Sequence, residues 1–302
     1  MGAIGSAIRR PALSFRETAA AYVALTKPRI ISLLLITTIP TMILAAKGVP
    51  SLWLIAATVV GGSLAAGGAN AINCYIDRDI DEIMHRTQGR PLPLGRMEPI
   101  NALVFALGLE AAAFALLALS SNILAASLAL AATLFYVFVY TLWLKRTTPQ
   151  NIVIGGAAGA APPLVAWAAV TGHVGLPAIV LFAVIFVWTP PHFWALSIKY
   201  RDDYARAGVP MLPVVATLAS TKTQIFAYAV ALLPVSLALV LTGTVGWIYA
   251  ASAAVLGLAF IREAWRLRSD VRPGAAMGVF RVSIYYLALI FFAVAADQLI
   301  LR

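Results

Sequence analysis

Nine stretches of 17 or more residues run through this chain with almost no ionisable side chain in them. They cover 30–46, 53–74, 99–119, 123–144, 151–171, 176–198, 223–243, 245–261 and 282–301, and only Glu110 and Asp297 interrupt them with charge. A helix crosses the hydrocarbon core with about 20 apolar residues, about 17 at the lower end. Few other folds absorb nine such runs. The chain is 62% hydrophobic and 11% charged, whereas a soluble domain carries about 25% charged residues to cover its surface. Low charge also argues against disorder, and one cysteine, Cys74, excludes a disulfide scaffold. The expected fold class is all-α: a polytopic membrane helix bundle of nine transmembrane helices. Residues 1–29 form a polar-apolar arm with no signal-peptide h-region. Residues 30–302 form a single transmembrane domain with its working loops at about 75–98 and 199–222. Met1-Gly2 with Ser6 fits a myristoylation pattern, but an acyl chain adds little to nine spans.

The joints between runs alternate in character. After the first, third, fifth and seventh they are short and nearly uncharged; after the second, fourth, sixth and eighth they carry charge. Of 22 Lys and Arg residues, 20 lie in the arm or on the charged joints, and Lys47 and Arg302 lie on the other side. The positive-inside rule then puts the N-terminus and long loops in the cytoplasm and the C-terminus outside. The net charge of +10 reads as topology, with the lipid bilayer as partner and no nucleic acid implied.

Acidity is concentrated in one place. Four of the 12 acidic residues fall between Asp77 and Glu82, at the end of the second run. Asn70, Asn73, Asp77 and Asp81 recur at spacings of three and four, so on a helix they share one face, with Asp79 roughly opposite. Two carboxylates and two amides make an oxygen-rich stripe of the kind Mg²⁺ takes, together with substrate phosphates. The plain alternative is a solvated helix end with Asp side chains paired to Arg78 and His85. Arg86 and Arg90 follow, suited to the remaining oxygens of a diphosphate, although alone they would pass for positive-inside charges. The loop after the sixth run has a related look. Pro190-Pro191-His192 should kink or end the helix, and Lys199, Arg201, Asp202, Asp203 and Tyr204 then lead to Leu212-Pro213, an echo of Leu92-Pro93. Gly155 and Gly159 allow close helix packing. His173 reads as a loop residue on the uncharged side.

Asn73-x-x-x-Asp77-x-x-x-Asp81 after a second span resembles the first aspartate-rich motif of the UbiA superfamily of intramembrane prenyltransferases. Asn-Cys-Tyr-Ile-Asp-Arg-Asp-Ile-Asp (73–81), Met-His-Arg-Thr (84–87) and Arg-Pro-Leu-Pro (90–93) are similar to the protohaem IX farnesyltransferase family. So are Thr26-Lys27-Pro28-Arg29, Pro190-Pro191-His192-Phe193-Trp194-Ala195-Leu196 and Ala207-Gly208-Val209-Pro210-Met211-Leu212-Pro213. The resemblance implies helices around a central cavity open to the cytoplasmic side of a bacterial-type inner membrane. It implies a Mg²⁺-dependent reaction of farnesyl diphosphate with haem B that gives haem O, and a haem-modifying membrane enzyme downstream. Asn73, Asp77 and Asp81 would hold the metal, with Arg86, Arg90, Lys199 and Arg201 on the diphosphate. Asn70, His85, Asp202, Asp203 and Tyr204 would contact substrate.

The chain departs from the superfamily at the second Asp-x-x-x-Asp motif, where Tyr200 and Tyr204 stand instead; Asp202 and Asp203 are substitutes by residue type. A developing prenyl cation calls for aromatic faces, each worth roughly 0.5–2 kcal/mol. Tyr136, Tyr140, Trp143, Trp188, Phe193 and Trp194 are candidates, though interfacial aromatics are also membrane anchors. His192, an imidazole within a span, is a candidate haem contact, and Glu110 a structural hydrogen bond to a neighbouring helix. The competing readings are a sister prenyltransferase for another aromatic acceptor and, in a different class, a secondary transporter.

Overall fold

The computed structural model describes residues 14–272 and 274–301; Gly2, Arg9, Arg10 and Arg302, used above for acylation and topology, lie outside them. No strand occurs among the described residues. The helices are α1 (Phe15–Thr26), α2 (Pro28–Ala46), α3 (Leu52–Ile76), α4 (Arg78–Ile83), α5 (Pro99–Ser120), α6 (Ile123–Thr147) and α7 (Asn151–Thr171). They continue with α8 (Leu176–Lys199), α9 (Arg201–Arg206), α10 (Leu212–Val215), α11 (Leu218–Leu241), α12 (Trp247–Ser269) and α13 (Ala276–Leu301). Eight of the described helices are long and apolar enough to cross a membrane. The pair Phe15–Thr26 and Ile31–Ala46, bent by 56°, would make a ninth crossing.

Local sequence sets the helix starts. Ser51, Asn122 and Thr217 accept hydrogen bonds from the first-turn N–H groups of Leu54, Ala125 and Ser220, satisfying donors a helix start leaves open. Pro28 and Pro99 open α2 and α5, where a missing N–H costs nothing. Three boundaries differ from the hydrophobic runs. Helix α11 begins at Leu218, α13 begins at Ala276, and α12 continues to Ser269, because Lys222, Arg281 and Arg262 ride on helix ends that outrun the apolar core. The Pro190-Pro191 step, expected to kink or end its helix, lies inside α8, which runs unbroken to Lys199. The arm is also more ordered than its composition suggested. Ser14 and Glu17 form a capping box, and Tyr22 packs edge-on to Phe105 at 4.9 Å.

Small residues let the spans approach closely. Gly61 faces Leu117 and Gly68 faces Glu110 across the α3–α5 contact. Gly155 lies against the ring of Tyr140, whereas a Cβ on Gly159 would meet nothing, so the G-x-x-x-G pair uses only its first glycine. Helix α8 packs on α7, α11 and α13, and α13 returns to α2, which closes the bundle.

Two buried acidic side chains within the spans have identifiable partners. Thr133 Oγ1 on α6 donates to Glu110 Oε1 at 3.2 Å, the helix-to-helix bond expected for that residue. Asp297, fully buried, accepts from the N–H groups of Gly246 at 2.6 Å and Tyr249 at 2.9 Å. It therefore caps the start of α12 from α13, where an anion also meets the positive end of the helix dipole. Replacing Asp297 with Ala should cost about 2–4 kcal/mol, since two buried N–H groups lose charged acceptors. A thermal melt in detergent should show the loss, with turnover per folded molecule retained because the cap lies at the end of the bundle away from Asp77.

Candidate active site

The acidic stretch keeps one face across a break. Asp77 ends α3 and starts α4, yet Asp77 N–H donates to Asn73 O at 2.9 Å and Asp81 N–H to Asp77 O at 2.8 Å. The helical ladder thus passes through the joint. Asn70, Asn73, Asp77 and Asp81 all lie buried, Asp77 at 0% and Asp81 at 2% exposure, whereas the Asp79 side chain is 60% exposed. Buried carboxylates require compensating charge, and the source differs from the plain expectation. Neither Arg78 nor His85 supplies it: Arg78 turns to Tyr75 O at 2.6 Å and lies over the Tyr75 ring, and His85 Nε2 accepts from Arg206 at 2.8 Å.

The counter-charges come from three elements. Arg90, in the loop after α4, pairs with Asp81. Lys145, near the end of α6, pairs with Asp77 Oδ2 with its own side chain 13% exposed. Arg146 binds both oxygens of Asp79 at 2.8 Å and reaches to 3.6 Å from Asp77 Oδ1. Its hydrogen bonds hold the Asp79 carboxyl down at about 2. Lys27 Nζ donates to Asn73 Oδ1 at 2.8 Å, and Asn70 Nδ2 holds Thr26 O at 3.1 Å. Lys27 adopts φ 53°, a left-handed conformation that disfavours side chains, immediately before a proline, where an extended backbone is the rule. This strained residue delivers its ammonium to the buried amide.

Asn73 is oriented on its other side as well, its Nδ2 donating to Asp77 Oδ2 at 2.7 Å and Thr141 Oγ1 at 3.2 Å. Thr141 lies in a π-helical stretch of α6, Phe135–Leu144, and donates to Tyr136 O five residues back at 2.8 Å. Such wide turns are frequent at functional sites. Tyr136 and Tyr140 stack on the same stretch with ring centroids 5.3 Å apart. Trp143, by contrast, is 60% exposed and belongs to the outer surface of the bundle.

The second loop meets the first through Asp203. It is buried and accepts from Arg86 N–H at 3.3 Å and from the Arg206 guanidinium. Burial pushes the Asp203 carboxyl up, but these two partners hold it below its ordinary value. The Arg86 guanidinium spans the Tyr200 and Tyr204 rings at 5.4 and 5.8 Å. Lys199, Arg201 and Asp202 are exposed, with Lys199 resting over Tyr200 at 5.3 Å; they do not reach the buried carboxylates. His192 lies elsewhere, between the Trp188 and Phe280 rings at 4.2 and 4.6 Å, its Nδ1 2.7 Å from Ser283 Oγ. Phe193 is partly exposed, and Trp194 is buried against Tyr228.

The donor set fits a hard cation. Asp77 Oδ1 is buried without a hydrogen bond, while its partner oxygen takes Lys145 and Asn73. Among the described residues no group of three or more His, Cys, Asp or Glu side chains converges. An ion bound here would complete its shell from substrate phosphate and water, as Mg²⁺ does. Beside this cluster a cleft of about 520 Å³ opens between Ile76, Arg78, Asp79, Glu82, Leu142 and Arg146.

Sequence spacing led to the carboxylates and missed Lys27, Thr141, Lys145 and Arg146. Lys145 and Arg146 read as topological charge, because their partners Asp77 and Asp79 lie 68 and 67 residues away. The available signal was that the fourth span ends on two cations ahead of a joint, Thr147 to Gln150, with no acid to pair them.

The family model described as the UbiA prenyltransferase family matches residues 34–295. "Protoheme IX farnesyltransferase 1" of Saccharopolyspora erythraea is 53% identical over 299 residues, 98% of this chain and 95% of that protein. "Protoheme IX farnesyltransferase" of Gloeobacter violaceus is 54% identical over 281 residues, 93% of this chain and 92% of that one. Among solved structures, one reported for digeranylgeranylglyceryl phosphate synthase covers 93% of this chain and 99% of its own, with a TM-score of 0.77 at 19% identity. A UbiA homologue from Archaeoglobus fulgidus bound to GPP and Mg²⁺ covers 91% of this chain and 99% of its own, with a TM-score of 0.61 at 16% identity. These two likenesses concern the fold.

Asp203→Ala should unfasten the two loops. Trypsin cleavage after Arg86 and Arg96 should quicken several-fold in limited proteolysis, a local opening without global unfolding. In the unmutated chain, a carboxyl held below its ordinary value stabilises the fastened state above that value. The clasp should therefore hold at neutral pH and release only as the pH falls below the ordinary value of 3.8.

Proposed function

Because the chain belongs to the UbiA prenyltransferase family, and its near full-length relatives are named as protohaem IX farnesyltransferases, we propose that it farnesylates haem B. The farnesyl group of farnesyl diphosphate joins a vinyl group of protohaem IX, water adds, and haem O and diphosphate are released. The observation that carries this reading is the buried Asn73–Asp77–Asp81 face, one of whose carboxylate oxygens lacks a hydrogen bond, ringed by Lys27, Arg90 and Lys145.

The chemistry follows from the charges. Breaking the allylic C–O bond places negative charge on diphosphate and positive charge on the prenyl carbon. Mg²⁺, when bound through Asp77, Asp81 and the Asn73 amide, supplies charge stabilisation to the departing diphosphate. Arg90, Lys145 and Lys27 are preorganised donors in a site shielded from bulk water, where such groups act most strongly. Arg86, held by the Asp203 clasp and its two tyrosine rings, approaches from the loop side. Tyr136 and Tyr140, on the π-helical stretch, offer ring faces to the cation. The apolar bundle keeps water from the cation until the porphyrin vinyl carbon has attacked, and a transporter would need no such chemistry. His192 stands with Ser283 as the candidate haem contact, since its ring faces are already covered and only its edge remains to meet a ligand.

The charged end of the bundle is the cytoplasmic one on this reading, in a bacterial inner membrane. The far end, with His173 and Lys47, lies outside. The product stays in the bilayer, which suits a haem-modifying membrane enzyme as the next partner. Cys74 is free and buried, so single cysteines placed at His173 and Arg201 can be labelled selectively. A membrane-impermeant maleimide should reach the first in intact cells and the second only after lysis.

Purified protein given haem B, farnesyl diphosphate and Mg²⁺ should form haem O, read by mass spectrometry. Asp81→Ala should lower the rate per folded molecule at least about 100-fold, the usual scale for losing a preorganised charge-stabilising group. Haem O formation without divalent ions would overturn the metal role, and an active Asp81→Ala would overturn the site.

A further inference from the structure

The cations around Asp77 outnumber what the carboxylates need. Asp79 balances Arg146 through two hydrogen bonds. Of the remainder, Lys27, Arg90 and Lys145 face only Asp77 and Asp81, which leaves the buried cluster one charge positive. Lys145 is held on Asp77 Oδ2, and Lys27 on the Asn73 oxygen, so both ammonium groups sit against the atoms that would bind an ion. No third carboxylate converges on them among the described residues. Asp203, the nearest substitute by sequence, spends its oxygens on the Arg86 N–H and Arg206, and Asp202 is exposed.

We propose that Lys145, assisted by Lys27, is a catalytic residue that binds the diphosphate in place of a second divalent ion, so that the site takes one metal per prenyl diphosphate. The inference rests on the prenyltransferase reading above and deepens it. A diphosphate ester near neutral pH carries about three negative charges, by analogy with the second ionisation of phosphate near pH 6. With one divalent ion those charges neutralise the positive cluster, whereas a second ion would leave it doubly positive in a medium that screens poorly. Lys145 suits the task. It is an ammonium at the end of a flexible stem on a rigid transmembrane helix, able to bridge Asp77 Oδ2 and a phosphate oxygen while Asp77 Oδ1 is left for the ion.

The test counts ions and separates metal from diphosphate. Full-length protein in nanodiscs is titrated with Mn²⁺ and followed by electron paramagnetic resonance, with the non-cleavable farnesyl S-thiolodiphosphate present. One tightly bound Mn²⁺ per chain is expected; two would overturn the proposal. By calorimetry Lys145→Met should bind the analogue roughly 10- to 100-fold more weakly, the scale of a lost hydrogen bond to a charged group. Its Mn²⁺ affinity without analogue should be equal or higher, because Asp77 is released from its competitor, and Lys145→Arg should recover part of the analogue affinity. A merely structural lysine would lower both affinities together. Lys27→Met, which leaves the Lys145–Asp77 pair intact, should weaken analogue binding in the same direction and serves where Lys145→Met folds poorly. Unchanged analogue affinity in both variants would overturn the role of the lysines. Failure of the unmutated protein to bind the analogue at all, with any divalent ion, would instead overturn the prenyltransferase reading on which the proposal stands.

Discussion

Two carboxylates are buried almost completely at one end of an apolar bundle, and the arrangement of that end follows from the cost of keeping them there. An ionised carboxylate away from water is tolerated only where counter-charge, oriented dipoles or hydrogen bonds hold it. Asp77 and Asp81 therefore draw in Lys145 from α6, Arg90 from the following loop and, through Asn73, Lys27 from the bend between α1 and α2. Each partner anchors its own element. The left-handed backbone at Lys27 and the π-helical stretch around Thr141 are local departures from ideal geometry. They persist because the surrounding packing holds them, and both lead to Asn73. Strain of this sort collects where geometry serves chemistry.

The bundle was largely legible in the sequence because its cause is local. A run of 17 to 25 residues without charge has one stable use in a chain like this, and its length is set by the bilayer. Errors occurred where charge and helix part company. Arg262, Arg281 and Lys222 mark limits of runs that the helices continue past: the two arginines extend their heads to water, and the buried Lys222 ammonium donates to Asp270 O at 2.6 Å. The site was half legible. Asn73, Asp77 and Asp81 share a face through helical spacing, which sequence displays. Their partners do not, because Lys145 meets Asp77 only through packing of α6 on α3. A lysine that labels the cytoplasmic side and one that neutralises a buried aspartate look the same in one dimension.

The two charged loops echo each other in sequence and divide the work in space. Both carry an acidic and basic stretch ahead of a Leu-Pro step, but the first directs Asp77 and Asp81 inward along a continued helical ladder. The second has Asp202 and Asp203 adjacent, so one faces solvent and the other turns in. Asp203 then meets the backbone of Arg86 and the side chain of Arg206 and becomes a fastener. Tyr200 and Tyr204 lie four residues apart in the second loop, and their rings receive the Arg86 guanidinium.

A polar group inside a membrane protein is a common reason to suspect function, yet this chain has several that do different things. Asp297 has an N–H donor on each oxygen, Glu110 takes a hydroxyl from the next helix, and the His192 Nδ1 meets Ser283. Burial alone separates none of them from Asp77. The difference lies in whether the partners close the account. Asp297 has both oxygens bonded to N–H groups at the positive end of α12 and adds stability to that helix. At Asp77 one oxygen is crowded with donors, the other has no hydrogen bond, and the surrounding cations exceed the anions. Neutral donors such as the Trp167 and Trp194 indoles also lack partners, but an unbonded neutral group asks only for a water. A buried cluster with unbalanced charge asks for an ion or a charged substrate, and that requirement distinguishes the Asn73–Asp77–Asp81 face from the structural polar groups of the bundle.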